Sequence, residues 1–311
     1  MNRFSLSTLS AIAFLAVTPG LAFDDLPFEE LAVEAELPRA TGMGRGMAFG
    51  FGSLWATGGQ SLMRIHAHDN TVSEIASVGG GRFRGIAVGE GAIWVPEVDR
   101  DTILKIDPVS GAIVGEIPAQ MLGAQGKIGV GEGGVWVVTQ QDFDKTLTRF
   151  HHATGEVEAE ITLPSSGMSV AVAHGTVWVT APVKSELYRI DPTTNSVIST
   201  TKLGRSPQDL VADGEAVWVY NAGDGTVQRV EGASGESVAT IDIGSTGTGE
   251  IDAGGGYIWL SLALQSLIQI DPETNSVLRR YMAPRRAGYM RYGAGSVWLG
   301  LRSIVRVAIP D

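Results

Sequence analysis

The chain has 311 residues, no cysteine and a formal charge of −11. At that length it can bury a large core without disulfides, and a surface of that sign repels phosphate backbones, which excludes nucleic acid as a partner. Forty-one glycines alongside 44% hydrophobic residues describe many short strands joined by tight turns, not a low-complexity coil.

The first 22 residues read as a secretory signal. Arg3 supplies the charged start, Leu9 to Val17 the apolar run, and Gly20 and Ala22 the small residues before a cut after Ala22. That run is too short to cross a bilayer, and no later stretch approaches the roughly 20 apolar residues a membrane helix needs. The expected product is a periplasmic or secreted monomer with no membrane span, residues 23–311 forming one domain.

From there the chain repeats. Trp55, Trp94, Trp136, Trp178, Trp218, Trp259 and Trp298 lie 39, 42, 42, 40, 41 and 39 residues apart, and tryptophan occurs nowhere else. A period near forty marks a supersecondary unit that buries its apolar face only by stacking on its neighbours. Eight residues before each tryptophan stands an apolar side chain: Met47, Ile86, Ile128, Val170, Leu210, Ile251 or Met290. Period-two alternation around it predicts a short first strand, a glycine-rich hairpin, and a second strand carrying the tryptophan.

A third strand follows, as in Thr102–Ile106 and Glu186–Ile190, then a turn and a fourth strand. The turns Asp107-Pro108-Val109-Ser110-Gly111, Asp191-Pro192-Thr193-Thr194-Asn195 and Asp271-Pro272-Glu273-Thr274-Asn275 place Asp to bond the turn backbone and Pro to preset φ. Four antiparallel strands per unit and seven units predict an all-β, seven-bladed β-propeller. The last unit stops after its third strand, Ser303 to Ala308, while Leu31 to Leu37 reads like a fourth strand with no unit of its own. The N-terminal strand is therefore expected to close the seventh blade and remove an open edge.

In such a ring the first strands line a central channel, and loops converge on one mouth. The positions nine and ten residues before tryptophan are where the units stop being alike. Positive side chains fall on units one to three (Arg45, Arg84, Lys127), while Gln208, Asp209, Glu250 and Tyr289 fall on units five to seven. This polarised mouth is expected to orient a small anionic molecule, or a region of another exported protein, against its basic arc. One step deeper, Asp252 and Arg291 replace the usual Ala, Gly or Val, and adjacent blades are expected to pair them as a structural lock.

Glu97, Asp209, Asn221 and Glu250 form an alternative oxygen-ligand set for calcium or magnesium. The five histidines, His66, His68, His151, His152 and His174, all fall in peripheral turns by the repeat register, His66 and His151 where other units carry Asp. Ser-His-Asp catalysis and transition-metal sites thereby lose their usual participants. The glycine strings are hairpin turns, not phosphate-cradling loops.

The unit from Val177 to Pro207, with Val-Trp-Val, then Leu-Tyr-Arg-Ile-Asp-Pro-Thr-Thr-Asn-Ser-Val-Ile and Leu-Gly-Arg-Ser-Pro, resembles the YVTN-type propeller repeat. The match covers residues 31 to 308 and implies an exported seven-bladed scaffold that binds at one mouth. Trp178 with Arg189 and Trp218 with Arg229 also resemble the repeat of the virginiamycin B lyase family. That resemblance implies a magnesium-dependent lyase using histidine and glutamate at the mouth; this sequence has no mouth histidine and offers only Glu250 and Glu97. A gluconolactonase-like hydrolase is compatible with Glu97, Asn221 and Asp209. The sequence favours a noncatalytic binding module that needs no cofactor, over a metal-dependent lyase or lactonase with unassigned catalytic residues and over a scaffold in a larger exported redox or assembly complex.

Overall fold

The computed structural model describes residues 25–38, 46–58, 61–77, 85–121, 128–139, 145–263, 267–282 and 289–309. The secretory signal expected at residues 1–22 lies outside them. The described residues form seven antiparallel sheets, one per tryptophan. Blade one runs Met47–Gly50, Ser53–Gly58, Ser61–His66 and Val72–Ser77, and blade four, typical of the set, Val170–Ala173, Thr176–Ala181, Glu186–Asp191 and Ser196–Lys202. The first strands touch one another in order around a ring, with Tyr289–Gly293 of blade seven meeting Met47–Gly50 of blade one.

The N-terminal strand closes blade seven. Val33–Leu37 pairs antiparallel with Ile304–Ala308, and Glu34 ties the seam by accepting from Ser296 Oγ at 2.7 Å and pairing with Arg306 Nε at 2.8 Å. The structure adds an element the repeat does not announce: Asp25–Pro27 lies parallel to Ser276–Met282 as a fifth strand on blade six. A short 3-10 turn, Phe28–Glu30, links the two pieces, and Phe28 and Leu31 pack against Trp259, Tyr281 and Met290.

Each tryptophan is fully buried, and a repeated contact explains why. The cross-strand neighbour of the indole on the third strand is a cation in six blades: Arg64, Lys105, Arg149, Arg189, Arg229 and Arg306, each 4.9–5.4 Å from the ring centroid. The same cation then reaches a turn carbonyl of the next blade. Arg64 donates to Pro108 O at 2.9 Å, Arg149 to Pro192 O at 2.6 Å, Arg229 to Pro272 O at 2.8 Å, and Arg306 to Ala67 O at 2.6 Å across the closure. Such a cation–ring contact contributes roughly 0.5–2 kcal/mol, more when shielded from water. Blade six carries Gln269 at this position. The reason is topological: blade seven draws its third and fourth strands from distant parts of the chain, so no turn joins them for a cation to hold.

A second contact runs between neighbouring first strands. In five blades the indole N–H donates to a glycine carbonyl five residues back: Gly50, Gly89, Gly131, Gly254 and Gly293, at 2.9–3.1 Å. Gly131 and Gly254 take φ of 151° and 155°, conformations a side chain would resist. A Cβ at these glycines would strike the next blade's residue six before its tryptophan: Val88, Val130, Val172, Tyr292 and Phe49 in turn. Where the glycine is replaced, by Ala173 and Asp213, the facing register positions shrink to Ala212 and Ala253. In those two blades the indole N–H of Trp178 and Trp218 has no hydrogen-bond partner. Glycine therefore meets a large residue at five seams, and alanine or aspartate meets alanine at the other two.

Two outcomes follow. Removing residues 23–38 deletes the strand that closes blade seven and the buried Phe28 and Leu31, so thermal denaturation is expected more than about 10 °C lower; an unchanged melt contradicts the closure. Gly50→Ala is expected to cost about 1–3 kcal/mol by overpacking against Val88, and Val88→Ala in the same chain to recover about 1 kcal/mol of that, measured by urea unfolding as a double-mutant cycle. Strict additivity would mean the two residues do not meet.

Candidate functional site

The period-two pattern of a first strand sends residues nine, seven and five before tryptophan toward the next blade. In most blades the seventh and fifth are small. In blades four to six the ninth is Ser169, Asp209 or Glu250, and in blades six and seven the seventh is Asp252 or Arg291. The structure links them across seams. Ser169 Oγ of blade four donates to Asp209 Oδ1 of blade five at 2.9 Å, and the backbone N–H of Leu210 donates to the same oxygen at 3.0 Å. Ile251 N of blade six reaches Asp209 Oδ2 at 3.3 Å.

Arg291 is paired, although not as the sequence suggested. Its guanidinium donates to Glu250 Oε2 at 2.6 Å, whereas Asp252 accepts the backbone N–H of Tyr292 at 2.7 Å and interacts with Arg291 only through space. The stagger of adjacent first strands brings the ninth position of blade six, not the seventh, against Arg291. Burial alone would lower the Arg291 pKa, but Glu250, Asp252 and Asp209 more than offset this and hold the guanidinium charged. Burial pushes the Asp252 carboxyl up to about 6, against the opposing pull of Arg291 and of the Tyr292 and Ala253 amides. Residue 252 keeps some access to solvent through the channel, yet protein surrounds its carboxyl.

These groups border a cavity of about 150 Å³ in the central channel. Ile86, Ile128 and Val170 give it an apolar side, and Asp209, Asp252 and Arg291 a charged one. The chemistry available is hydrogen bonding and charge recognition of a small polar group.

Of the residues the sequence nominated, Asp209 and Glu250 come together in this network. Gln208 sits beside it, its Oε1 accepting Gly249 N at 3.4 Å, and Tyr289 begins blade seven, half-buried against Met47 and Trp298. Arg45, Arg84 and Lys127, the basic arc, lie outside the described residues. Glu97 and Asn221 are held within their own blades. Glu97 is fully buried and pairs with Arg100 at 3.2 Å; burial raises its pKa and Arg100 offsets part of the rise. Asn221 donates to Thr226 Oγ1 at 3.1 Å and Gln228 Oε1 at 3.3 Å. Among the described residues, no three His, Cys, Asp or Glu side chains converge to hold a metal ion. His151 does take over the Asp role in its turn, its Nδ1 accepting the N–H of Ala153 and Thr154 at 3.2 Å. Ser169 is not singled out by the sequence: an uncharged hydroxyl among the charged and aromatic residues of this position carries little signal until its partner Asp209 is seen.

No model of a known protein family matches the chain, and no curated protein matches it. Solved structures do. A structure of streptogramin B lyase superposes with a TM-score of 0.76 at 18% identity, covering 89% of this chain and 97% of the other. A catalytically inactive virginiamycin B lyase from Staphylococcus aureus, with quinupristin, gives 0.76 at 16% identity, covering 89% and 99%.

The chain resembles virginiamycin B lyase in fold. A mitotic checkpoint complex chain gives 0.77 at 10% identity, covering 97% and 99%, so the same ring also serves in a protein assembly. At these identities the likeness to virginiamycin B lyase establishes architecture alone. No helix among the described residues is long and apolar enough to cross a membrane.

The raised Asp252 pKa has a definite sign. An acid whose folded-state pKa lies above its unfolded value of 3.8 binds its proton more tightly in the folded state, so its contribution favours folding at low pH and is lost as pH rises through about 6. Asp252→Asn is expected to flatten the gain in stability between pH 7 and pH 5, read from urea midpoints at each pH. An identical slope in the variant would contradict the assignment.

Proposed function

We propose that the protein is an exported binding propeller that holds a small polar ligand at the central channel, without catalysing its conversion. The observation that supports this reading is local: a repeat held to one pattern in its turns and tryptophans departs from that pattern at the channel, where Ser169 bonds Asp209, Arg291 pairs with Glu250, and Asp209 and Asp252 act on Arg291 through space. A ligand with hydrogen-bond donors facing Asp209 and Asp252, and with an acid group for the basic arc that the sequence pattern expects of Arg45, Arg84 and Lys127, fits this division of charge.

A divalent-metal lyase or lactonase is the second reading, favoured by the fold shared with virginiamycin B lyase, by Asp209 on the channel and by Glu250 against Arg291 beside it. In that case magnesium or calcium would take oxygen ligands from these two residues, with Glu97 and Asn221 having to leave their present partners.

One set of melts separates the two. Under the binding reading, one or more small dicarboxylates or amino acids are expected to raise the melting temperature dose-dependently, with the shift lost in Asp209→Asn, while chelator and added magnesium leave the melt unchanged. A stoichiometric cation whose removal lowers the melt, together with opening of a streptogramin or lactone ring, would overturn it.

A further inference from the structure

A second cavity lies away from the channel, in the seam between blades two and three, with a volume of about 440 Å³. Its cause can be read from the repeat. The third-strand residue opposite the position after tryptophan fills each seam: Tyr188 in blade four and Gln228 in blade five, but Thr148 in blade three. In the seam between blades three and four, Tyr188 is fully buried among Val138, Leu163 and Ala181, and its hydroxyl donates to Glu186 Oε2 at 3.0 Å. Between blades four and five, Gln228 Nε2 donates to Lys202 O at 3.0 Å, and its Oε1 accepts Gly204 N at 3.1 Å. Thr148 only bonds to Thr139, Oγ1 to Oγ1 at 2.8 Å, and leaves the space in front of it open.

We propose that this cavity binds a hydroxyaryl group, the chemistry that Tyr188 supplies from within the chain one seam further on. Phe150 lines it as an aromatic wall, buried at 3% exposure, and offers an edge or face to an entering ring. Arg100, at the mouth with a side chain 54% exposed, supplies a cation for the ring face. The Thr139 and Thr148 hydroxyls, Gln120 and Glu160 supply acceptors for the phenol O–H. The volume falls within the roughly 300–1,000 Å³ of ordinary ligand sites and leaves room for the atoms that bear the ring. This site is separate from the channel and does not rest on the function proposed for it.

The test is a titration of the full chain with p-cresol, followed by ligand-observed NMR and thermal shift, with toluene as the same shape lacking the hydroxyl and acetyl-Ala-Tyr-Ala-amide as the peptide-borne form. Saturable p-cresol binding is expected, on the order of tenfold tighter than toluene. Thr148→Tyr, which puts the chain's own ring in the space, is expected to abolish it and raise the melting temperature. Gln120→Trp, a change at the exposed rim that leaves the packed seam alone, is expected to weaken binding if Thr148→Tyr fails to fold. Tighter binding of the peptide than of p-cresol assigns the natural group to a partner's tyrosine, and the reverse order to a free phenol. Equal binding of p-cresol and toluene, binding undiminished in the folded variants, or no binding at millimolar p-cresol would overturn the proposal.

Discussion

The ring is held by an indole sandwiched between blades. Each tryptophan is buried, in six blades its face is covered by a cation from the next strand, and that cation donates onward to the following blade's turn. One side chain thus stabilises its own sheet and locks the angle to its neighbour. The repeat of this contact fixes how far each blade turns from the last, and so where seven first strands meet to leave a narrow channel. The single omission, Gln269, falls where blade seven offers no turn to grip, and there the N-terminal segment takes over with Asp25–Pro27 on blade six and Val33–Leu37 on blade seven.

Because the frame is carried by turns, indoles and glycines, the channel face is released from the task of holding the molecule together. That separation lets blades four to seven carry carboxylates, a hydroxyl and a guanidinium where blades one and two carry glycine and alanine. Burying charges is costly unless they are paired, and here each is answered: Asp209 by a hydroxyl and two amides, Arg291 by Glu250, Asp252 by the Tyr292 amide. The two seams that lack the glycine, Ala173 with Ala212 and Asp213 with Ala253, flank blade five, which contributes Asp209.

The frame was legible in the sequence because its determinants are periodic. Tryptophan spacing counted the blades, Asp-Pro turns marked the third hairpins, and the strand-like Leu31–Leu37 lacked a home, which pointed to blade seven. Asp25–Pro27 was not legible: three residues pairing in parallel leave no alternation to read. The site was half legible. Departures from the repeat nominated Asp209, Glu250, Asp252 and Arg291, but which carboxylate meets Arg291 depends on the stagger between adjacent strands, which no local pattern encodes. Glu97 and Asn221 looked like channel ligands because loops after second strands face that way; their side chains instead satisfy Arg100, Thr226 and Gln228 inside the blades.

The polar face of the channel is expected to hold a ligand in the native protein. A high-resolution crystal structure of the protein purified from the organism that makes it, with no additive able to enter the channel, tests this most directly. Non-water density against Asp209, Asp252 and Arg291 is expected. A channel filled only by ordered water, with the same side chains in the same hydrogen bonds, would reduce the network to a structural lock and contradict it.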